Sequence, residues 1–85
     1  MINARIHDGD VVFIRKQSTV ENGEIAAVSI NDEQATLKRF YYYQQQAMIL
    51  LRAENPKYED LIFTGDQLAD VHILGKAIAF QTNLA

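Results

Sequence analysis

The sequence has no cysteine and only one proline, and it contains no long apolar run. Without cysteine the chain can form neither a disulfide framework nor a thiolate metal site, which suits the reducing cytoplasm. No stretch approaches the roughly 20 consecutive apolar residues that span a bilayer. The opening segment, MINARIHDGD, also lacks the apolar core of a signal peptide. We therefore expect a cytoplasmic protein without a membrane partner.

Clustered positive charge is missing as well. The eight Lys and Arg residues are scattered among eleven Asp and Glu residues, and the net charge is −3. A surface that binds nucleic acid needs clustered basic residues, so we expect no DNA or RNA contact from this chain itself. The hydrophobic content of 48% is enough for a core, and 85 residues allow one small domain over residues 1–85.

Sequence signals for a metal or a cofactor are also absent. The histidines, His7 and His72, lie far apart and share no ligand spacing with acidic residues, so we expect no metal site. Asp8 and Asp10 flank Gly9, and turn chemistry explains them without a calcium site. The glycines form neither of the phosphate-binding patterns G-x-G-x-x-G and G-x-x-x-x-G-K-[ST], so we expect no cofactor.

What the sequence does contain is a series of short β-branched and aromatic runs separated by turn signals. Polar segments such as ENG, NDEQ and QQQ divide these runs, and no segment sustains a 3.6-residue apolar period. Closely spaced strands with turns between them predict an all-β fold, a strongly bent antiparallel sheet closed into a small barrel or sandwich. The predicted strands are 11–17, 24–30, 35–43, 47–54, 60–63 and 71–82.

Local signals set the expected limits of these strands. The turn Asp8-Gly9-Asp10 precedes the first strand, and Asn55-Pro56 ends another because proline cannot donate to a sheet. The connection over 31–34 predicts a hairpin although it contains no glycine. Gly75 is expected to mark a bulge or a point of close packing within the last strand. The tyrosines at 41–43 alternate between faces, so we expect no single stacking platform from them.

Lys38 interrupts a run, ATLKRF, that otherwise has the pattern of a strand. Alternation puts Lys38 on one face with Thr36, Phe40 and Tyr42. If that face is partly covered, the lysine is desolvated and can serve as a general base. A surface lysine that protects a strand edge would give the same pattern. The residue pattern leaves both interpretations open.

Five short motifs follow one another along the first half of the chain, and they are Met1, Ile6, Gly9-Asp10, Asn22-Gly23-Glu24 and Leu37-Lys38-Arg39. Two longer segments, ILLRAENPKYEDLIF and VHILGKAIAF, come after them. In order and spacing, these motifs resemble the carboxy-terminal peptidase domain of self-cleaving repressors of the LexA and phage-repressor family, which UmuD-like mutagenesis proteins share. The two later segments are similar to the family's Leu-x-Pro-x-Asn segment and its closing Ile-x-Gly-x-Val strand, so the resemblance covers nearly the whole chain.

The resemblance implies a serine peptidase of the S24 type, with a Ser-Lys dyad that acts on its own chain. Lys38 occupies the position of the general base, and the family's nucleophilic serine would fall immediately before Met1. Ser18 and Ser29 are not in the family's Ser-Met context, so we do not expect either to replace it. The family's Ala-Gly or Cys-Gly cleavage bond does not occur in the sequence. We therefore expect this chain to be inactive alone, as a domain of the LexA carboxy-terminal type truncated at its amino terminus.

The parent function that the resemblance implies has three alternatives. The first is a LexA-like or prophage transcriptional repressor of the SOS response. Such a repressor binds DNA only through an amino-terminal helix-turn-helix domain, and a RecA-type filament triggers its self-cleavage. The second is a UmuD-like accessory subunit of a translesion polymerase. The third is a catalytically dead relative that serves only for dimerisation. The sequence upstream of Met1 would discriminate among them.

The last predicted strand, residues 71–82, is expected to form a homodimer interface. Apolar residues occupy both of its alternating faces, and an unpaired strand edge would offer backbone donors and acceptors to a second copy. A two-fold pairing would cover the second apolar face and would also pair the backbone groups of the free edge. The repressors that the sequence resembles dimerise through this domain. The alternation assigns Val71, Ile73, Ala77 and Ala79 to one face, and Leu74, Ile78 and Phe80 to the other.

Overall fold

Seven antiparallel strands form one sheet in the computed structural model, which describes residues 2–4, 10–54 and 57–82. In spatial order the strands run β1-β2-β7-β3-β4-β5-β6. The predicted all-β antiparallel architecture is confirmed. The bounds are β1 Ile2–Ala4, β2 Asp10–Lys16, β3 Ile25–Ile30, β4 Thr36–Tyr43, β5 Met48–Arg52, β6 Leu61–Thr64 and β7 Val71–Thr82. None of the described residues forms a helix that is long and apolar enough to cross a membrane.

The β3–β4 hairpin closes through a tight turn without glycine. Asn31 and Asp32 both have positive φ, 53° and 60°, and the N–H of Glu33 donates to the carbonyl of Ile30 at 3.0 Å. Positive φ at both central residues is the left-handed conformation that a type I′ turn requires, and this turn begins the connection between β3 and β4. Asn and Asp tolerate this region better than other residues with a side chain, so the predicted hairpin forms here.

Some local elements differ from the sequence prediction. The segment Gly65–Asp70 forms a 3₁₀ helix, and Gln67 caps it by accepting the N–H of Thr64 at 3.1 Å. The T-x-x-Q spacing of a capping box was its sequence signal. Strand β1 was not predicted either. The turn signals at Asp8-Gly9 and Asn55-Pro56 lie outside the described residues.

Strand β7 is an internal strand with irregular pairing on both sides. Its register slips opposite Ala27 and Val28 of β3, and again opposite Phe13 and Ile14 of β2. Each slip adds an unpaired residue to β7, which moves the following side chains to the other face. Gly75 lies between the slips. A Cβ at Gly75 would be 2.5 Å from both the carbonyl oxygen of Arg15 and Cγ2 of Ile14, so the predicted close-packing point is confirmed.

Two apolar clusters lie on the opposite faces of the sheet. On the Phe40 face the buried residues are Ala26, Val28, Phe40, Ile49 and Leu51, packed by Val20, Ile30, Phe63, Leu68, Val71 and Ile73. On the Leu37 face they are Val12, Ile14 and Ala27, packed by Leu37 and Ala77.

The clusters correct the predicted faces of β7. Ile73 packs on the Phe40 face and Ala77 on the Leu37 face, although strict alternation assigned both to one face. The register slip at Leu74, opposite Ala27 and Val28, causes this change, because it lies between the two residues. Both side chains are partly buried against these clusters within the chain itself.

Candidate active-site face around Lys38

Lys38 lies on β4 directly opposite Ala26 of β3, and therefore on the Phe40 face. Phe40, two residues further along β4, is only 5% exposed, and Lys38 itself is partly buried. The structure puts Lys38 and Phe40 on one face, as alternation predicts, and the part of that face around Phe40 is covered. A fully exposed lysine at a strand edge would not have these surroundings, because β4 is flanked by β3 and β5.

Lys38 belongs to a row of residues that crosses the sheet. Ala26 pairs with Lys38 on one side and with Lys76 of β7 on the other, and Lys76 pairs in turn with Arg15 of β2. Ala26 is fully buried although its own side chain is one methyl group. Since lysine stems lie along apolar surface while their amines reach water, the two flanking lysines can account for this burial.

Glu24 supplies the negative charge of this row. Its carboxylate forms an ion pair with the ammonium of Lys76, and the two side chains are 23% and 33% exposed. The hydrogen bond from Lys76 holds the pKa of Glu24 below its usual value, and a hydrogen bond from the backbone N–H of Glu21 acts in the same direction. Among the described residues, no hydrogen bond or ion pair involves the amine of Lys38.

An apolar pocket of about 520 Å³ opens on the same face. Phe40 and Tyr42 line it from β4, so it begins next to Lys38 along the strand, although Lys38 itself is not part of its lining. The volume lies in the range of small-molecule and side-chain sites, and its walls are mostly apolar. The remaining lining residues are Thr19, Val20, Glu21, Asn22, Ile49, Leu68 and Ile73.

The Asn-Gly motif before β3 anchors one wall of this pocket. The side chain of Asn22 accepts the N–H of Tyr42 at 2.7 Å and donates to the carbonyl of Tyr42 at 3.0 Å, as a neighbouring strand would. Gly23 follows with φ at 90°, and its N–H donates to the carbonyl of Phe40 at 2.8 Å. Arg39 donates to the carbonyl of Gly23 at 2.5 Å. The sequence showed the motif, but the pairing of Asn22 with Tyr42 depends on contacts twenty residues apart.

Neither serine singled out in the sequence is bonded to Lys38. Ser29 lies opposite His72 on the Leu37 face, and its hydroxyl donates to the carbonyl of Glu33 at 2.8 Å. Ser18 is exposed in the segment after β2. Ser29 therefore cannot serve as a partner of Lys38, because the sheet separates them.

The remaining candidate residues form no site on the Phe40 face. His72 is exposed, and His7 lies outside the described residues. Within the part of the chain that the structure describes, no three His, Asp or Glu side chains converge to hold a metal. Tyr41 and Tyr43 stack in parallel on the Leu37 face with ring centroids 6.4 Å apart, whereas Tyr42 lines the pocket. The three tyrosines therefore alternate between the two faces, as predicted, and two of them stack on each other on the Leu37 face.

The comparison with known protein families gives one result that bears on this geometry. The family model of the peptidase S24-like proteins matches residues 1–78. The match includes Lys38, Glu24 and Lys76, together with the residues that line the pocket.

Proposed function

Because the chain belongs to the peptidase S24-like family, we propose that Lys38 is the general base of a Ser-Lys dyad. The domain is then the self-cleavage and dimerisation domain of a LexA-like or prophage repressor of the SOS response. The observation that carries the proposal is the position of Lys38, partly buried beside Phe40 and without a bonded partner among the described residues. In the parent protein, a RecA-type filament would trigger cleavage and a separate domain would bind DNA.

The dyad chemistry needs only the amine of Lys38 and a serine hydroxyl within its reach. A neutral amine takes the proton of the hydroxyl while the serine oxygen attacks the carbonyl carbon of the scissile peptide bond. The same nitrogen then returns the proton to the leaving amine. A carboxylate bonded to the lysine would hold it as an ammonium ion, so a lysine without such a partner suits the role. On this proposal the serine comes immediately before Met1, as the resemblance to the family's Ser-Met motif implies.

The pocket next to Phe40 gives the proposed substrate a place to bind. A peptide segment in extended conformation would cross the Phe40 face near Lys38, with one apolar side chain in the pocket. The anchored Asn22 segment forms one wall of the pocket, so the pocket is expected to be present before the peptide binds.

Peptide cleavage by a chain with the nucleophile restored tests this proposal. The chain is extended by a serine directly before Met1, with a few residues ahead of it, and is incubated at alkaline pH with a peptide that contains an Ala-Gly bond. We expect cleavage by the extended chain and none by the 85-residue chain. Lys38→Met should lower the rate by a factor on the order of 10³ or more, as removal of a catalytic base does in other serine peptidases.

Lys16→Met is the matched control. Lys16 is exposed, and it pairs with Gly75, which in turn pairs with Ala27 of the Leu37 face, so Lys16 lies on the opposite face of the sheet from Lys38. Mass spectrometry identifies the cleaved bond. Cleavage that survives Lys38→Met would contradict the proposal. Cleavage by the chain without the added serine, if Lys38→Met abolished it, would assign the nucleophile to another residue.

We further propose that the domain forms homodimers through β7. The β3 ladder pairs with β7 from Val71 to Lys76, and the β2 ladder continues to Thr82. Among the described residues, no strand pairs with the β3 side of β7 beyond Lys76. A second copy could add its own strand there and satisfy the free backbone groups.

A further inference from the structure

We propose that Lys76 is a positioning residue that holds the Glu24 carboxylate away from Lys38, so that the amine of Lys38 stays free to act as a base. The inference rests on the proposed role of Lys38, but it concerns residues to which no role has been given. Its basis is the arrangement of two lysines around one carboxylate on the Phe40 face.

The register places Glu24 within reach of both lysines. Ala26 pairs with Lys38 on one side and with Lys76 on the other, so the Cα atoms of the lysines are about 10 Å apart, two strand spacings. Glu24 precedes Ala26 by two residues and lies on the same face. It is thus a diagonal neighbour of each lysine, a distance that long side chains can bridge.

The carboxylate of Glu24 is bound on the β7 side. It forms its ion pair with Lys76, whereas no hydrogen bond or ion pair of Lys38 occurs among the described residues. Arg15 of β2 lies opposite Lys76 and adds a second positive charge on that side. The β4–β5 ladder ends at the Arg39–Arg52 pair, and the next residue of the chain after β5, Ala53, carries no charge.

Two further acidic residues, Asp70 and Glu54, lie away from this cluster. Asp70 is at the opposite end of β3, where its carbonyl accepts the N–H of Asn31. Glu54 is bonded to Arg39, whose side chain lies on the Leu37 face. Among the described strand ladders, the register therefore places the Glu24 carboxylate next to Lys38. Glu21, whose backbone N–H donates to Glu24, lies outside the strands and lines the pocket beside Phe40.

Loss of the Lys76 amine would release Glu24 to the remaining lysine on this face. An opposite charge within a few ångströms favours the charged form of an amine. Lys38 would then hold its proton more strongly and supply less of the neutral base at a given pH. The ion pair itself is partly exposed, so its removal is expected to have a modest effect on folding.

Competitive acylation of lysines tests this inference on the 85-residue chain as it is. Acetic anhydride reacts only with neutral amines, so the labelling rate of Lys38 at pH 8 to 9 measures how much of its amine is free. Peptide mass spectrometry reports Lys38 relative to exposed Lys16 in the same molecule. Lys76→Met should lower the relative rate of Lys38 by roughly 1.5-fold to fivefold, the scale of a partly exposed ion pair.

Two further variants separate the mechanism from a general loss of charge or fold. Lys76→Arg keeps the cation and should leave the Lys38 rate near that of the unsubstituted chain. The double variant Glu24→Gln/Lys76→Met removes the carboxylate as well and should restore the rate. Circular dichroism confirms that each variant is folded.

An unchanged or faster Lys38 rate in Lys76→Met would overturn the proposal. A slower Lys38 rate that persists in the double variant would also overturn it. In that case the loss of the Lys76 charge would slow the labelling of Lys38 even without the Glu24 carboxylate. Labelling requires neither a serine nor cleavage. Failure of this test is therefore distinct from failure of the peptidase proposal, which the peptide-cleavage experiment addresses separately.

Discussion

Gly75 allows β7 to approach β2 at a distance that no side chain permits. A Cβ there would meet the carbonyl oxygen of Arg15 and Cγ2 of Ile14, each at 2.5 Å. The first of these is backbone, which cannot move without shifting β2. Close approach of this kind explains why glycine occupies the middle of a twelve-residue strand.

We predict that Gly75→Ala destabilises the domain by about 1–3 kcal/mol through overpacking between β7 and β2. Urea unfolding followed by circular dichroism measures the free energy. Gly65→Asn is the comparison, because Gly65 has φ at 57° with open space around it and asparagine tolerates that conformation. Equal stability of Gly75→Ala and the unsubstituted chain would show that the strands separate there without cost.

Residue-scale alternation was sufficient to place Lys38 correctly. The period of two in a strand puts Lys38 and Phe40 on one face whatever the strand pairs with, so this prediction needed only local sequence. The ion pair of Glu24 with Lys76 joins residues about fifty positions apart, and it depends on the β3–β7 register. No local pattern carries that register, so the sequence could not predict which lysine binds the carboxylate.

At the scale of elements, strands and hairpins were predictable where turn chemistry marks them. Asn31 and Asp32 adopt the left-handed conformation that glycine often supplies in turns, and the predicted strands β3 and β4 form on either side of this connection. The 3₁₀ helix Gly65–Asp70 was missed because six residues are too few to show an apolar period. In β7, the register slip at Leu74 put Ile73 and Ala77 on opposite faces, which alternation alone cannot foresee.

We predict that the domain dimerises through the part of β7 beyond Lys76. Sedimentation equilibrium from micromolar to high-micromolar concentration should give a mass that rises from monomer to dimer. Ala79→Lys adds a charge at this segment, where Ala79 is exposed, and should shift the mass towards the monomer. Ala69→Lys makes the same change on the exposed side of the 3₁₀ helix and should leave it unaltered. A monomer at every concentration would contradict this prediction.

For the whole molecule, the sheet order brings distant segments of the chain to one face. Strands β3, β4 and β7 are neighbours, although β7 lies last in the sequence, and so Lys38, Glu24 and Lys76 meet around Ala26. The all-β class followed from spacing and turns, whereas the strand order is a long-range property that the residue pattern does not encode locally. The pocket beside Phe40 has the same origin, because its lining comes from segments between Thr19 and Ile73.

Covalent labelling by a fluorophosphonate tests most directly whether Lys38 activates a serine. Unlike peptide cleavage, this reaction needs an activated hydroxyl but no correctly bound substrate. The serine-extended chain should take up one label, on the added serine, and intact mass spectrometry should show the label lost in Lys38→Met and kept in Lys16→Met. Equal labelling in Lys38→Met, or a label on Ser18 or Ser29, would contradict the account.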